Sequence, residues 1–285
     1  MSDTSIIMLL GAAGQVGQAI QAQPLPVGIK LQPITRQDVD LTNVAALRNA
    51  VQSLRPRLII NSAGLTNVDQ AEREPELARA VNFEAVTNLA SQCAALDIPL
   101  IHLSTDYVFD GETNQPYRPE DAMNPVNQYG ASKLLGEEAV RQILPWHVIL
   151  RVSSVFSAYG RNILTNLLNT LATQTDIRMV TDTRSNPTPA TAIASTVLRI
   201  AAELINGKAG GYGTFHFCGQ PDASRYDFAA AVLTAAKPYL PSNRNCIRRY
   251  ALTSPVGQPA QPIASWSAAS WNVFTVLRNP TGSLR

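Results

Sequence analysis

The stretch Ile6-Ile7-Met8-Leu9-Leu10-Gly11-Ala12-Ala13-Gly14-Gln15-Val16-Gly17 constrains this chain more than any other. An apolar run of strand length meets three glycines spaced three apart, and a helical pattern, Gln15 to Ala22, follows directly. Glycine allows a tight strand-to-helix turn and lets backbone N–H groups approach a pyrophosphate, whose charge a helix N-terminus favours. A chain that begins this way starts with a βα unit, so all-helical and sandwich folds are poor fits.

The rest of the sequence continues the alternation. Leu31 to Thr35, Leu58 to Ser62, Leu100 to Ser104 and Val148 to Val152 read as further strands after Ser5 to Leu10. Between them Val44 to Leu54, Pro75 to Leu96 and Gln128 to Leu144 read as helices, which predicts right-handed crossovers and a doubly wound parallel sheet of Rossmann type. After about Val155 the pattern loosens. A helix over Asn162 to Thr173, a break at Pro187 to Pro189 and a helix over Thr191 to Ile205 precede a strand-like Gly213 to Phe217. This predicts one domain over 1–155 and a smaller C-terminal lobe over 156–285, with the strand at about 213–217 returning to the sheet.

Composition narrows the function class. With 285 residues, 45% apolar and 15% charged, the chain is globular, and a net charge of +2 offers neither nucleic acid nor an anionic membrane a strong field. Cys93, Cys218 and Cys246 lack metal-site spacing and are odd in number, as expected of reduced thiols in a cytoplasmic protein. The segment Met1 to Ile20 has no basic residue and is broken by glycine, so it reads as structure, not as a signal peptide or membrane span.

Three further motifs carry chemistry. Thr35-Arg36 ends the second strand where a reader of a ribose 2′-hydroxyl would be acidic, so Arg36 suits a 2′-phosphate and tilts the cofactor towards NADPH over NADH, with Asp40 nearby on the adenine side. Leu103 to Gly111 follows the fourth strand and brings Thr105 to the carboxyl edge of the sheet. Tyr129-Gly130-Ala131-Ser132-Lys133 sets a phenol and an ammonium on one helical face. Beside Lys133 and an oxidised nicotinamide, the Tyr129 phenol is expected to come down from pKa ~10 towards neutrality and to protonate a carbonyl oxygen as hydride reaches its carbon. Thr105 would hydrogen-bond that oxygen and Lys133 would hold the nicotinamide ribose.

These residues resemble those of the extended short-chain dehydrogenase/reductases, and within them the dTDP-4-dehydrorhamnose reductases. The likeness rests on the glycine turn, Asn61 to Glu72, Pro75, Val81-Asn82, Ser104 to Gly111, Asn127 to Glu137, Arg151 to Phe156, Asp182 and Pro187-Thr188, and it reaches roughly residue 255. The resemblance implies NAD(P)H-dependent reduction of the 4-keto group of dTDP-4-dehydro-L-rhamnose to dTDP-L-rhamnose, in a cytoplasmic enzyme, and allows a homodimer. It implies Thr105, Tyr129 and Lys133 as the catalytic trio. It also puts Gly11, Gly14, Gln15, Val16 and Gly17 at the pyrophosphate, Ala63 and Gly64 by the cofactor ribose, and Val68 and Asp106 in the sugar pocket.

The sequence departs from the family pattern in three places. Ser154 stands where a tryptophan often packs on substrate. Ala19 stands where some members carry a glutamate that binds Mg²⁺ at a dimer contact, so Mg²⁺ has no support. From about Gln261 the tail, including Ala269 to Gly282, lacks the family's ending. Codons compatible with Ser270-Trp271-Asn272 and their neighbours, read from the third base of Ala269, permit Lys-Leu-Glu-Arg and Pro-Asp-Trp, which is the pattern expected there. A slipped reading frame near Gln261 is therefore our hypothesis for the last two dozen residues.

Rival functions remain open at this level. A sister nucleotide-sugar epimerase or reductase shares the fold, while a 4,6-dehydratase would carry a glutamate where Tyr107 follows Thr105-Asp106. A non-catalytic NADP-binding regulatory subunit would need none of the trio. His102, His147 and His216 read as structural, and Arg161 and Arg184 as surface residues.

Overall fold

The computed structural model describes residues 4–113, 115–174, 176–182, 184–207, 211–237 and 246–250. The departure from Gln261 onward lies outside them. The chain opens with β1 (Ser5–Leu10), α1 (Gln15–Gln21), β2 (Ile29–Ile34), α2 (Val44–Leu54) and β3 (Leu58–Asn61). It goes on through α3 (Val68–Arg73), α4 (Pro75–Arg79), α5 (Ala85–Ala95), β4 (Leu100–Thr105), α6 (Gln128–Ile143) and β5 (His147–Val152). Then come β6 (Val155–Phe156), α7 (Ile163–Thr173), β7 (Asp176–Val180), β8 (Arg184–Ser185), β9 (Thr188–Pro189) and α8 (Ala190–Ile205). The remaining elements are β10 (Gly213–Phe217), β11 (Ala223–Ser224), α9 (Arg225–Ala236) and β12 (Cys246–Tyr250).

Six strands form one parallel sheet in the order β10-β5-β4-β3-β1-β2, the doubly wound arrangement the alternation predicts. Strand order reverses between β1 and β3, and ligands bind beyond the carboxyl ends of strands at such a switch point. Side chains alternate across β1. Ile7 and Leu9 point to one face with Ala19 and Ile20 of α1 and Ile193 and Val197 of α8. Met8 and Leu10 point to the other, against Leu47 and Val51 of α2, Leu89 of α5 and Val140 of α6. Each such side chain contributes ~1.5–3 kcal/mol on burial, so both faces lock the register of the strand that carries the glycine turn.

β7 and α9 form where the sequence pattern predicts no element, and two further differences lie in the cofactor half. The helix expected over Pro75 to Leu96 is interrupted by a π-type turn, Ala80–Glu84, that divides α4 from α5. The turn puts the fully buried Asn82 amide against the Leu65 backbone, accepting from its N–H at 2.9 Å and donating to its carbonyl at 3.0 Å. The short α3, capped at Gln70 N by the Asn67 side chain, was not anticipated at all.

Beyond β5, α7 and α9 pack a separate small core through Leu167, Leu171, Ile177 and Ala229. Three two-stranded pairs, β6 with β9, β7 with β12 and β8 with β11, accompany it. Among the described residues no helix is long and apolar enough to cross a membrane.

Candidate active site

The glycine turn is built against the next loop. Gly11 has φ +77°, and a Cβ there would lie 2.5 Å from the Ala63 backbone nitrogen. A Cβ at Gly17 would come within 2.3 Å of the Gly11 carbonyl oxygen, so the first turn of α1 sits directly on the loop before it. Gly14 is the N-cap of α1 with no side-chain cap, which leaves the N–H groups at the start of Gln15, Val16 and Gly17 open to an anion. Side chains at Gly11 and Gly17 would fill this cradle, so the turn fits a dinucleotide pyrophosphate.

The other expected cofactor residues surround the turn. Ala12 N–H donates to the Ile34 carbonyl at 3.1 Å, which brings the end of β2 alongside. Thr35 is fixed there by Asp38, whose carboxylate accepts from Thr35 N at 2.8 Å and Oγ1 at 2.7 Å. Arg36 is 76% exposed and, among the described residues, is held by a 3.7 Å ion pair to Asp40, a contact weak enough for a phosphate to displace. Asp40 itself accepts from Thr42 N and Oγ1. On the far side, Ser62 Oγ donates to the Leu10 carbonyl at 2.7 Å, and a Cβ on Gly64 would lie 4.0 Å from Lys133 Nζ. Ala63 and Gly64 thus bridge the glycine turn and the lysine.

Thr105 ends β4 as the cap of a short 3₁₀ turn, Asp106–Val108, and its hydroxyl accepts from Tyr107 N at 3.2 Å and donates to Asp106 at 3.1 Å. The Thr105 side chain acts on the buried Tyr129 phenol, pulling against the burial that raises it, so the fold brings those two expected residues to one place. Close approach of α6 brings this about: a Cβ on Gly130 would stand 2.1 Å from the Tyr107 carbonyl oxygen. Val68 packs with Tyr107, Tyr129 and Ala71 in one small cluster, and the Tyr107 and Tyr129 rings meet edge to face at 5.4 Å. Asp106 lies beside them, its carboxyl raised to about 6 by burial despite hydrogen bonds from Ser153 and Thr105.

Lys133 is buried beside β4. Its nitrogen donates to the Leu103 carbonyl at 2.7 Å and lies 3.2 Å from His102 Nε2, so it is turned to β4. Burial brings it down to about 8. The Tyr129 phenol is pushed up, first by burial and then by Asp106 and Tyr107, with the Thr105 side chain acting in the opposite direction. In the chain by itself Lys133 does not lower the phenol, because its nitrogen is engaged by Leu103 and His102.

Several structural roles have no strong local signal. Asn82 donates to Ser132 Oγ at 3.0 Å and so ties the Leu65 loop to α6. Glu137 and Arg151 form a buried 2.7 Å pair beneath the site, and guanidinium contact holds that carboxyl below its usual range against burial. His102, read as structural from sequence, contacts Lys133. His147 faces the Leu144 carbonyl, and His216 lies 3.3 Å from Arg151. Arg184 pairs with Asp222 at 2.7 Å, and Arg161 donates to Asn166. Ser154, at the place of the family tryptophan, has φ +42°. Ala19 is fully buried in the core. Among the described residues no three His, Cys, Asp or Glu side chains group as a metal site, and the Cys93 and Cys218 thiols are raised to about 12, chiefly by burial.

Comparison with known proteins gives a consistent result. The family model described as the RmlD substrate binding domain matches residues 5–279, further than the roughly 255 residues reached by motifs. The chain is 38% identical over 229 residues to a dTDP-4-dehydrorhamnose reductase of Sinorhizobium fredii, covering 80% of this chain and 77% of that one. Its fold is similar to the dTDP-4-dehydrorhamnose reductase of Bacillus anthracis solved in complex with NADP, with a TM-score of 0.80, 27% identity and coverage of 92% and 91%. It is equally similar to the Clostridium acetobutylicum reductase, with a TM-score of 0.81, 30% identity and coverage of 91% and 90%.

Proposed function

The chain belongs to the RmlD family, in which its named relatives are dTDP-4-dehydrorhamnose reductases, and from that premise we propose that it is an NAD(P)H-dependent oxidoreductase reducing the 4-keto group of dTDP-4-dehydro-L-rhamnose to dTDP-L-rhamnose. The observation that carries this reading is the buried placement of Thr105 and Tyr129 together at the carboxyl edge of β4, near the loop that joins the glycine turn to Lys133.

The roles follow from the chemistry of each group. Gly11, Gly14, Gln15, Val16 and Gly17 receive the pyrophosphate through backbone N–H groups, Arg36 takes the 2′-phosphate, with Asp40 on the adenine side, and Ala63, Gly64 and Lys133 border the nicotinamide ribose. The bound nicotinamide supplies the hydride. Tyr129 hands its phenolic proton to the ketone oxygen, and Thr105 hydrogen-bonds that oxygen as charge develops on it. Val68 gives the sugar an apolar wall. Asp106 stands ready to accept from a sugar hydroxyl. Residues up to about 155 form the cofactor half and residues beyond 156 mostly the substrate lobe, with β10 in the sheet. A cytoplasmic homodimer is the assembly this reading favours.

Purified protein mixed with NADPH and dTDP-4-dehydro-L-rhamnose is expected to consume NADPH and form dTDP-L-rhamnose. Oxidation with a UDP- or GDP-linked 4-keto sugar in preference would move the assignment to a sister enzyme. Tight NADPH binding with no oxidation would replace it with a binding subunit.

A further inference from the structure

A chain of polar groups, with Asn61 and His102 fully buried, runs from the cofactor-side loop to Lys133, and donors outnumber acceptors in it. Ala63 N–H donates to Asn61 Oδ1 at 3.1 Å, which fixes that amide so that its Nδ2 faces His102 Nδ1, also at 3.1 Å. Nδ2 can only donate, so Nδ1 accepts and the imidazole proton belongs on Nε2. Nε2 lies 3.2 Å from Lys133 Nζ, and Nζ already donates to Leu103 O at 2.7 Å. An ammonium has no lone pair to receive the Nε2–H, whereas a neutral amine does.

We propose that His102 is a positioning residue that selects the neutral amine of Lys133 in the cofactor-free protein, by donating its Nε2 proton to Nζ. Keeping Lys133 charged would require the imidazole proton on Nδ1 and the Asn61 amide turned over, at the expense of the Ala63 N–H bond. The charge on Lys133 is thereby linked to the backbone of the loop read as bordering the cofactor ribose, and this consequence for catalysis rests on the reductase reading.

The other titratable groups acting on the pair do not undo this. Glu137, on the same helix, favours the ammonium, but it is committed to Arg151 and Arg141. Burial keeps the His102 imidazole uncharged, and His147, at the start of β5, acts in the same direction. Burial of Lys133 itself acts in the same direction as His102.

Lys30, Lys133, Lys208 and Lys237 are the chain's four lysines, so ¹³Cε-lysine NMR of the full-length, cofactor-free protein resolves each one, with Lys133→Met as assignment control. The Lys133 resonance is expected to titrate at least one pH unit below the other three, and to move up by one unit or more in His102→Leu. His102→Gln, whose amide also donates, is expected to shift it by less than half a unit. In the wild type, ¹⁵N spectra should show His102 as the Nε2–H tautomer, which keeps the proposal testable should His102→Leu fail to fold. A His102 proton on Nδ1, or a Lys133 titration alongside the other lysines, would overturn it. Neither measurement depends on turnover, so the reductase reading stands or falls separately.

Discussion

Ser153, on the segment leaving β5, donates its hydroxyl to Asp106, at the end of β4, at 2.6 Å, and both side chains are buried. That bond, with the one from Thr105, partly offsets the removal of a carboxylate from water, yet burial still holds Asp106 up at about 6.

The folded pKa of Asp106 lies above its unfolded value, so the native state binds the proton more tightly, and stability from this group is present at low pH and lost as pH rises through about 6. The loss is on the order of 3 kcal/mol for a shift of this size. Urea unfolding of Asp106→Asn and wild type at pH 4.5 and at pH 7.5 is expected to show the variant gaining relative stability at the higher pH. An equal difference at both values would refute the shift.

Arg36 makes a surface ion pair with Asp40. Arg36→Ala is expected to raise KM for NADPH by roughly tenfold, about 1.4 kcal/mol, and to leave KM for NADH unchanged. Equal effects on the two cofactors would remove Arg36 from the 2′-phosphate.

Gly11 combines a left-handed backbone with direct contact on Ala63. Gly11→Ala is expected to destabilise the fold by about 1–3 kcal/mol and to weaken NADPH binding together with it. Thermal unfolding with and without NADPH checks both.

Thr105→Val keeps the shape of the side chain and removes its hydroxyl. A hydrogen bond to a charge-bearing oxygen is worth ~1.5–3 kcal/mol, so kcat is expected to fall roughly 10- to 100-fold while NADPH affinity stays put. A change confined to KM would place Thr105 in ground-state binding only.

The sheet and the glycine turn were readable because their signals are local. Strand alternation, glycine spacing and the i,i+4 pairing of Tyr129 with Lys133 all lie within one window of sequence, and β1, β4 and α6 formed where those windows predict them. The juxtaposition of Thr105 and Tyr129 followed from placing β4 and α6 correctly. What escaped depends on distant partners. The π-type turn at Asn82 is compatible with a helical pattern and is defined by its bonds to Leu65 and Ser132. The direction of the Lys133 side chain is decided by Leu103 and His102, about thirty residues away on a fully buried strand whose own pattern does not say which helix its His102 meets.

The tail beyond Gln261 is checked at the level of DNA. Resequencing the coding region is expected to restore a Lys-Leu-Glu-Arg and Pro-Asp-Trp ending. A confirmed reading as written, shared by closely related genes, would discard the slipped frame.

The most direct test of the account is the rate of NADPH oxidation by Tyr129→Phe with dTDP-4-dehydro-L-rhamnose at neutral pH. Loss of the phenolic proton donor is expected to lower kcat by roughly 10²- to 10⁴-fold with the NADPH dissociation constant unchanged. Turnover at the wild-type rate would contradict the assignment of Tyr129 as the acid.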